Sequence, residues 1–161
     1  GFAVNIDGFK TTDPDNAVGK IRYDSEGNAY RFVQNDTGAT VTAGAVLAHL
    51  FTDGAECKKN VTAVATATLS FLAGVAMTTA PAAAYFWIQV FGINDTVNVF
   101  AGQTTVYGGG QYMMGVNAAA YVTPDTVVGG TYDRKLHLME SIATVTPGAG
   151  GFYKRCLIQC L

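Results

Sequence analysis

The chain has 161 residues, of which 49% are hydrophobic and only 14% are charged, and its formal net charge is -2. A charge-poor, slightly acidic chain lacks the cationic surface that displaces counterions from phosphates, which argues against nucleic-acid binding. The abundant apolar residues argue against disorder. Thr, Gly, Pro and Asp interrupt the apolar runs, which argues against a membrane-spanning helix, since such a helix needs about 20 consecutive apolar residues.

The segment 1–19 differs from the rest of the chain. Phe2, Val4, Ile6 and Phe9 are spaced apolar residues in a polar setting, and a D-P-D-N sequence at residues 13–16 marks a break. Two interpretations are open: an extended N-terminal arm that docks on another surface, or a first strand followed by a loop within the domain. We adopt the arm as the working prediction.

From residue 20 onward the pattern is that of β-strands. A D-S-E-G-N turn at residues 24–28 separates two short strands and predicts a hairpin. The strongest strand is Y-F-W-I-Q-V-F-G at residues 85–92, and the alternating segment 96–100 predicts a second hairpin across residues 92–95. An apolar run at residues 152–161 predicts a final strand. Many short antiparallel strands predict an all-β fold, a compact β-barrel or β-sandwich, in a single domain over residues 20–161 with a Gly-rich insert near 102–133.

The residues that carry chemistry form no catalytic or metal-binding pattern. His49 and His137 both lie in strand-like apolar runs, where a histidine is more often structural than catalytic. Cys57, Cys156 and Cys160 contain no C-x-x-C pair, so we expect three free thiols, as in a protein assembled in a reducing cytoplasm. We therefore predict no enzymatic activity, no metal and no cofactor.

Charge is also unevenly distributed. Between residues 60 and 132 the only formally charged side chains are Asp95 and Asp125. Because solvated faces normally carry charges, this deficit predicts a surface that copies of the chain or partner subunits cover, although a neutral surface of Thr, Asn, Gln and Ser is the alternative. The predicted interface residues are apolar and aromatic side chains of the arm and the insert: Phe2, Val4, Ile6, Phe9, Tyr107, Tyr112, Met113 and Met114.

Several segments resemble a known protein family. They are G-K-I-R-Y-D-S-E-G-N-A-Y-R-F-V-Q at residues 19–34, A-G-A-V at 43–46, A-G-V-A at 73–76 and Y-F-W-I-Q-V-F-G at 85–92. Together they are similar to the capsid decoration, or cement, proteins of tailed bacteriophages with HK97-type heads. The similarity covers about two thirds of the chain in pieces. Its most specific part is the strand that contains Tyr85, Trp87, Gln89, Val90 and Gly92.

The resemblance implies a role as a viral structural protein. A member of this family is a compact β protein on the outer surface of the virion, bridging neighbouring major capsid subunits and thereby stabilising the shell. Its partners are the phage major capsid protein and copies of itself, with a trimer the favoured homo-oligomer, and it binds neither nucleic acid nor membrane. The insert at residues 102–133 is longer than the resemblance leads us to expect, and we interpret it as an extra contact loop.

Two other functions are compatible with the sequence. One is a receptor- or glycan-binding β module on the virion surface, in which Trp87 and Tyr121 stack on sugar rings. The other is a self-assembling shell or tube protein, which the neutral composition also allows. Alternation along the strand places Phe86 on the face opposite Tyr85 and Trp87, which favours burial of this strand on both faces over a sugar platform.

Overall fold

Short β-forming segments divided by turn residues produce a fold built from strands alone. The computed structural model describes residues 6, 8–13, 17–49, 60–63, 72–99, 112–115, 122–124, 136–139 and 152–160, and these residues contain no helix. The prediction of an all-β fold is therefore confirmed. The described strands are β1 Phe9–Lys10, β2 Ile21–Tyr23, β3 Ala29–Asn35, β4 Val46–His49, β5 Asn60–Ala63, β6 Leu72–Ala76, β7 Tyr85–Val99, β8 Tyr112–Gly115, β9 Val122–Pro124, β10 Leu136–Leu138 and β11 Phe152–Gln159.

Strand β7 organises the sheet. It is 15 residues long and pairs with β1, β3, β6, β9 and β11. Its first half is paired with β3 and β6, and its second half is paired with β11 through residues 91–99. A single strand therefore connects two groups of shorter strands that would otherwise share few hydrogen bonds.

The pairings form two circuits that meet at β7. One runs from β7 through β6, β4, β5 and β3 back to β7, and the other runs through β11, β10, β8 and β9. Each circuit contains one short parallel link: β3 and β5 share two residue pairs, and β7 and β9 share one. All other ladders are antiparallel, and with such short return links the sheet is compact but does not close into a regular barrel.

The hairpin predicted across residues 92–95 is wrong, because the chain continues straight through these residues within β7. Gly92 adopts a positive φ of 106°, which bends the strand without reversing it. A Cβ atom at this position would lie 2.0 Å from Asn28 Oδ1, so only glycine fits. The turn-forming residues in this segment therefore build an irregularity inside one strand.

The hairpin predicted at residues 24–28 is confirmed, since β2 and β3 pair in antiparallel register around it. Asp24 Oδ1 accepts hydrogen bonds from the backbone N–H groups of Glu26 and Asn28, each at 2.9 Å, and Asp24 Oδ2 accepts one from the Tyr30 hydroxyl at 2.9 Å. Gly27 supplies the positive φ of 86°. A single carboxylate thus holds the turn together.

Alternation along β3 and β7 places two clusters on opposite faces of the sheet. One face carries an aromatic cluster of Tyr30, Phe32 and Trp87, which Ile6, Ala17, Val18, Met77 and Tyr85 partly cover. The other face carries the main aliphatic core, which includes fully buried Val33, Phe86 and Ile88. The expectation that the Trp87 strand is buried on both faces is therefore confirmed for its first half.

The described part of the N-terminal segment lies against the chain's own sheet. Phe9 pairs with Phe86 and Lys10 with Tyr85, while Ile6 packs on the aromatic cluster. Phe2 and Val4 lie outside the described residues, and a contact between residues 1–19 and a partner stays a prediction.

The remaining sequence predictions concern the C-terminal strand, the thiols and membrane spans. Strand β11 begins at Phe152 as predicted, and Cys156 and Cys160 are both buried. Cys57 lies outside the described residues. Within the described ranges, no helix is long and apolar enough to cross a membrane.

The first circuit depends on a close approach of two strands at Gly74, and we predict that Gly74→Ala is strongly destabilising. Gly74 has a φ of 151°, and a Cβ atom there would lie 2.3 Å from the backbone oxygen of Gln89. Strain and steric overlap together should lower the free energy of unfolding by at least about 3 kcal/mol in urea denaturation. Gly38→Ala is the control, because Gly38 also has a positive φ but no atom within 4 Å of the added Cβ; it should cost about 1 kcal/mol. An equal loss of unfolding free energy in the two variants would show that the close approach of β6 and β7 at Gly74 is not the cause of the destabilisation.

The Asp24 hairpin predicts a pH dependence of stability. Burial raises the pKa of Asp24, but hydrogen bonds from Asn28, Tyr30 and Glu26 together outweigh it, so the pKa is lower in the folded state than in the unfolded chain. The stabilisation is therefore complete above the unfolded pKa of about 3.9 and is lost as the pH falls through the folded pKa.

The measurement is denaturant unfolding at pH 7 and at pH 3. We expect Asp24→Asn to lose less stability between the two pH values than the unmodified protein does. Asp36→Asn, at an exposed carboxylate in the next turn, should behave like the unmodified protein. An unchanged pH response in Asp24→Asn would show that this carboxylate does not hold the turn.

Candidate binding surface

The residues predicted as an interface divide into three groups. Ile6 is half-buried against the aromatic cluster, and Phe9 is 43% exposed beside β7. Tyr112, Met113 and Met114 lie on β8, which pairs with β9 and β10. The other three, Phe2, Val4 and Tyr107, lie outside the described residues.

Trp87 is part of the fold rather than an open stacking platform. It is only 8% exposed, and its ring centroid lies 5.0 Å from that of Phe32 at an interplanar angle of 54°. The Arg22 guanidinium carbon lies 5.3 Å from the Trp87 ring centroid, so a cation covers the ring. A sugar would have to displace Arg22 to stack there, which argues against Trp87 as a glycan-binding residue. Tyr121 lies outside the described residues.

Gln89 holds the irregular part of β7 from the inside. It is 2% exposed, and its Nε2 donates to the backbone oxygens of Phe91 at 3.2 Å and Ile93 at 3.1 Å. Its Oε1 accepts a hydrogen bond of 2.8 Å from Asn94 Nδ2. The side-chain amide thus bonds backbone carbonyls at the point where the strand changes partners. Two other residues of this strand, Tyr85 and Val90, belong to the two clusters. Tyr85 is half-buried against the aromatic cluster, and Val90 is fully buried in the aliphatic core.

The same short sequence, N-D-T, forms the same local structure twice. Asn94 Oδ1 accepts hydrogen bonds from the Thr96 backbone N–H at 2.7 Å and from its hydroxyl at 3.0 Å. Asn35 Oδ1 accepts the equivalent bonds from Thr37 at 3.1 and 2.8 Å. The Nδ2 groups of both asparagines are donors inside the protein, so neither N-x-T triplet presents a free amide for glycosylation in the folded chain.

The most polar site in the interior is closed to solvent. Arg31 and His49 are 4% and 7% exposed, and Arg31 Nη1 lies 3.4 Å from His49 Nε2. Burial lowers the pKa of Arg31, and the nearby Cys160 offsets this shift in part. Burial of both side chains favours a structural role for the pair, as the sequence predicts for His49. The side chain of His137, on β10, is not described.

An open groove lies where the β2–β3 turn approaches the second half of β7. Its apolar surface is formed by Phe91, Ile93 and Met139, which are 38%, 51% and 45% exposed. Its volume is about 470 Å³, and its lining among the described residues is Glu26, Gly27, Asn28, Phe91, Gly92, Ile93, Asp95, Met139 and Arg155. Three exposed large hydrophobic side chains around one groove are a feature of contact surfaces rather than of ordinary solvated faces.

The rim of the groove is charged. Arg155 Nε–H donates to Asp95 Oδ1 in an ion pair whose side chains are 55% and 65% exposed, respectively. Glu26, which lies in the β2–β3 turn and also lines the groove, is exposed as well. No group of three or more His, Cys, Asp or Glu side chains within the described ranges is arranged to hold a metal ion. The groove therefore combines an apolar floor with a polar rim, the arrangement of a binding surface.

Sequence reasoning identified the strand that forms this groove but not the groove itself. Phe91 and Ile93 were assigned to a strand end and a turn, and Met139 and Arg155 are distant from them in sequence. In the sequence, Phe91 and Ile93 alternate with Gly92 and Asn94, and this period of two is the signal that could have indicated one continuous strand with an apolar outer face.

We predict that Gln89→Leu is destabilising although leucine has a similar size. The substitution removes the donor to the oxygens of Phe91 and Ile93 and the acceptor for Asn94 Nδ2. Leaving buried polar groups without partners should lower the free energy of unfolding by about 3 kcal/mol in urea denaturation. Gln34→Leu is the matched control: its side chain makes one long bond, 3.5 Å, to the Ala83 oxygen, and its loss should cost less than about 1 kcal/mol. A Gln89→Leu protein as stable as the control would show that the hydrogen bonds of Gln89 do not stabilise β7.

Comparison with known proteins gives no relative from which a function could be transferred. No protein-family model, no curated protein and no solved structure matches the chain.

Proposed function

We propose that this chain is a capsid decoration protein, a structural component that attaches to the outside of an icosahedral phage head and bridges neighbouring major capsid subunits. The observation that carries the proposal is the groove, in which Phe91, Ile93 and Met139 expose apolar surface beside a charged rim. A protein that works by attachment needs such a surface, and the burial of exposed apolar area supplies the free energy of attachment.

Two features of the sequence support the same function. The chain from residue 60 to 132 contains two acidic and no basic side chains, as expected for a surface with little contact with solvent. The segment that resembles decoration proteins most specifically, residues 85–92, is the first half of the strand on which the fold is organised. Gln89 and Gly92, two signature residues, shape the irregularity that presents Phe91 and Ile93 to solvent.

The proposed mechanism is passive. Each copy buries its apolar surface against capsid subunits, a specific contact of this kind covers on the order of 1,600 Å², and attachment at two subunits gives avidity. Bridging would raise the free energy needed to separate neighbouring subunits. Copies of the chain would occupy the outer face of the shell as a homo-oligomer, and no cofactor would be required.

The test is sedimentation of the purified protein with expanded empty heads. We expect the double variant Phe91→Ser and Ile93→Ser to occupy heads at least about tenfold more weakly, because each exposed apolar side chain would lose its burial. Ile21→Ser with Tyr23→Ser is the matched control, since these β2 residues are 37% and 61% exposed but are not among the described residues that line the groove. Binding equal to that of the control would overturn the role of the groove, and no binding by the unmodified protein would overturn the function.

The arm is tested by removing residues 1–5 alone. This deletion removes Phe2 and Val4 but keeps Ile6, β1 and Asp13, whose Oδ1 accepts the Ala17 N–H at 2.7 Å. If the arm contributes to attachment, head binding should weaken severalfold while the midpoint of thermal unfolding stays unchanged. Full head occupancy after the deletion would assign attachment to the β domain.

A further inference from the structure

We propose that the groove between the β2–β3 turn and β7 receives a lysine or arginine side chain of a partner protein, flanked by apolar residues. This inference rests on the proposed function, because it specifies the chemistry of the partner at the same surface. The apolar floor of the groove and its charged rim each restrict the kind of side chain that can bind there.

The floor suits a long, unbranched apolar stem. Phe91, Ile93 and Met139 present exposed carbon surface to the groove. The volume of about 470 Å³ is larger than one side chain and much smaller than a helix or a folded domain. The three or four methylene groups of arginine or lysine pack on such a surface while the charged end reaches its edge.

The rim offers acceptors. Asp95 Oδ1 accepts the Arg155 Nε–H, while Asp95 Oδ2 accepts no hydrogen bond from a described residue. The Glu26 carboxylate, in the β2–β3 turn, likewise accepts none within the part of the chain that the structure describes. With two carboxylates and one guanidinium, the described residues of the rim carry a net charge of about -1, and a cation complements this charge whereas an anion does not.

Other exposed surfaces do not offer this combination. Strand β2 also exposes large apolar side chains, Ile21 and Tyr23, but it is three residues long and carries Arg22, and a short charged edge opposes strand addition. The Trp87 face is covered by Arg22. The groove, among the described residues, joins exposed apolar surface to the Glu26 carboxylate and Asp95 Oδ2, which accept no hydrogen bond from a described residue.

The experiment uses two short peptides and amide NMR of the full chain. The probe is acetyl-Leu-Lys-Leu-amide, and the charge-reversed control is acetyl-Leu-Glu-Leu-amide. We expect the lysine peptide to produce saturable shifts at Gly27, Phe91 and Ile93 with a dissociation constant on the order of 1 mM, weakened by added salt. The glutamate peptide should produce none.

Variants separate the floor from the rim. Glu26→Gln with Asp95→Asn should weaken the lysine peptide at least about fivefold, because the rim loses its negative charge. Ile93→Ser should also weaken it, through the lost apolar contact. Asp36→Asn, an exposed carboxylate outside the groove, should bind like the unmodified protein.

Three results would overturn the inference: no saturable shift at the groove up to about 20 mM peptide, equal binding of the glutamate peptide, or groove shifts that depend on protein concentration without peptide, which would make a second copy the occupant. The head-sedimentation assay keeps the two proposals distinguishable. If the unmodified protein binds heads and the variant Glu26→Gln with Asp95→Asn binds them equally well, the inference fails and the proposed function stands. If the peptide binds and heads do not, the groove chemistry stands and the capsid role fails.

Discussion

The fold depends on one side-chain amide that replaces backbone hydrogen bonds inside a strand. Strand β7 changes partners near Gly92, from β3 and β6 on one side of this point to β11 on the other. At such a change the backbone groups of the strand cannot all meet a neighbouring strand, and a buried carbonyl without a donor is costly. Gln89 donates to two of these carbonyls and is itself held by Asn94. The two circuits of strands can therefore share β7.

Much of this architecture is readable from the sequence because the local signals agree with it. The turn at residues 24–28 contains an Asp, a Gly and an Asn at the positions that a tight hairpin needs, and the structure uses all three. The aromatic strand at residues 85–92 shows apolar residues at consecutive positions, the pattern of a strand covered on both faces. Local patterns of this kind are set by nearest neighbours, which is why they can be predicted without knowledge of the tertiary structure.

The continuity of β7 and the groove could not be predicted in the same way. Gly92, Asn94 and Asp95 are turn-forming residues, and a turn is their commonest use. The deciding contact is non-local: Asn28 Oδ1 occupies the space beside Gly92, and Gln89 spans the residues that follow. The groove combines residues from a hairpin turn, from the middle of β7, from the position just after β10 and from the middle of β11. Only the assembled sheet brings these segments together.

The long strand also has a mechanical consequence. Pairs of strands joined by hydrogen bonds separate one bond at a time when pulled perpendicular to the strands, whereas a covalent backbone does not yield at comparable force. Since β7 belongs to both circuits, a load applied to the first group of strands reaches the second through peptide bonds rather than through a ladder. Tension between the two circuits of strands would thus be carried along the backbone of β7, and the bend at Gly92 is where we expect this strand to straighten first.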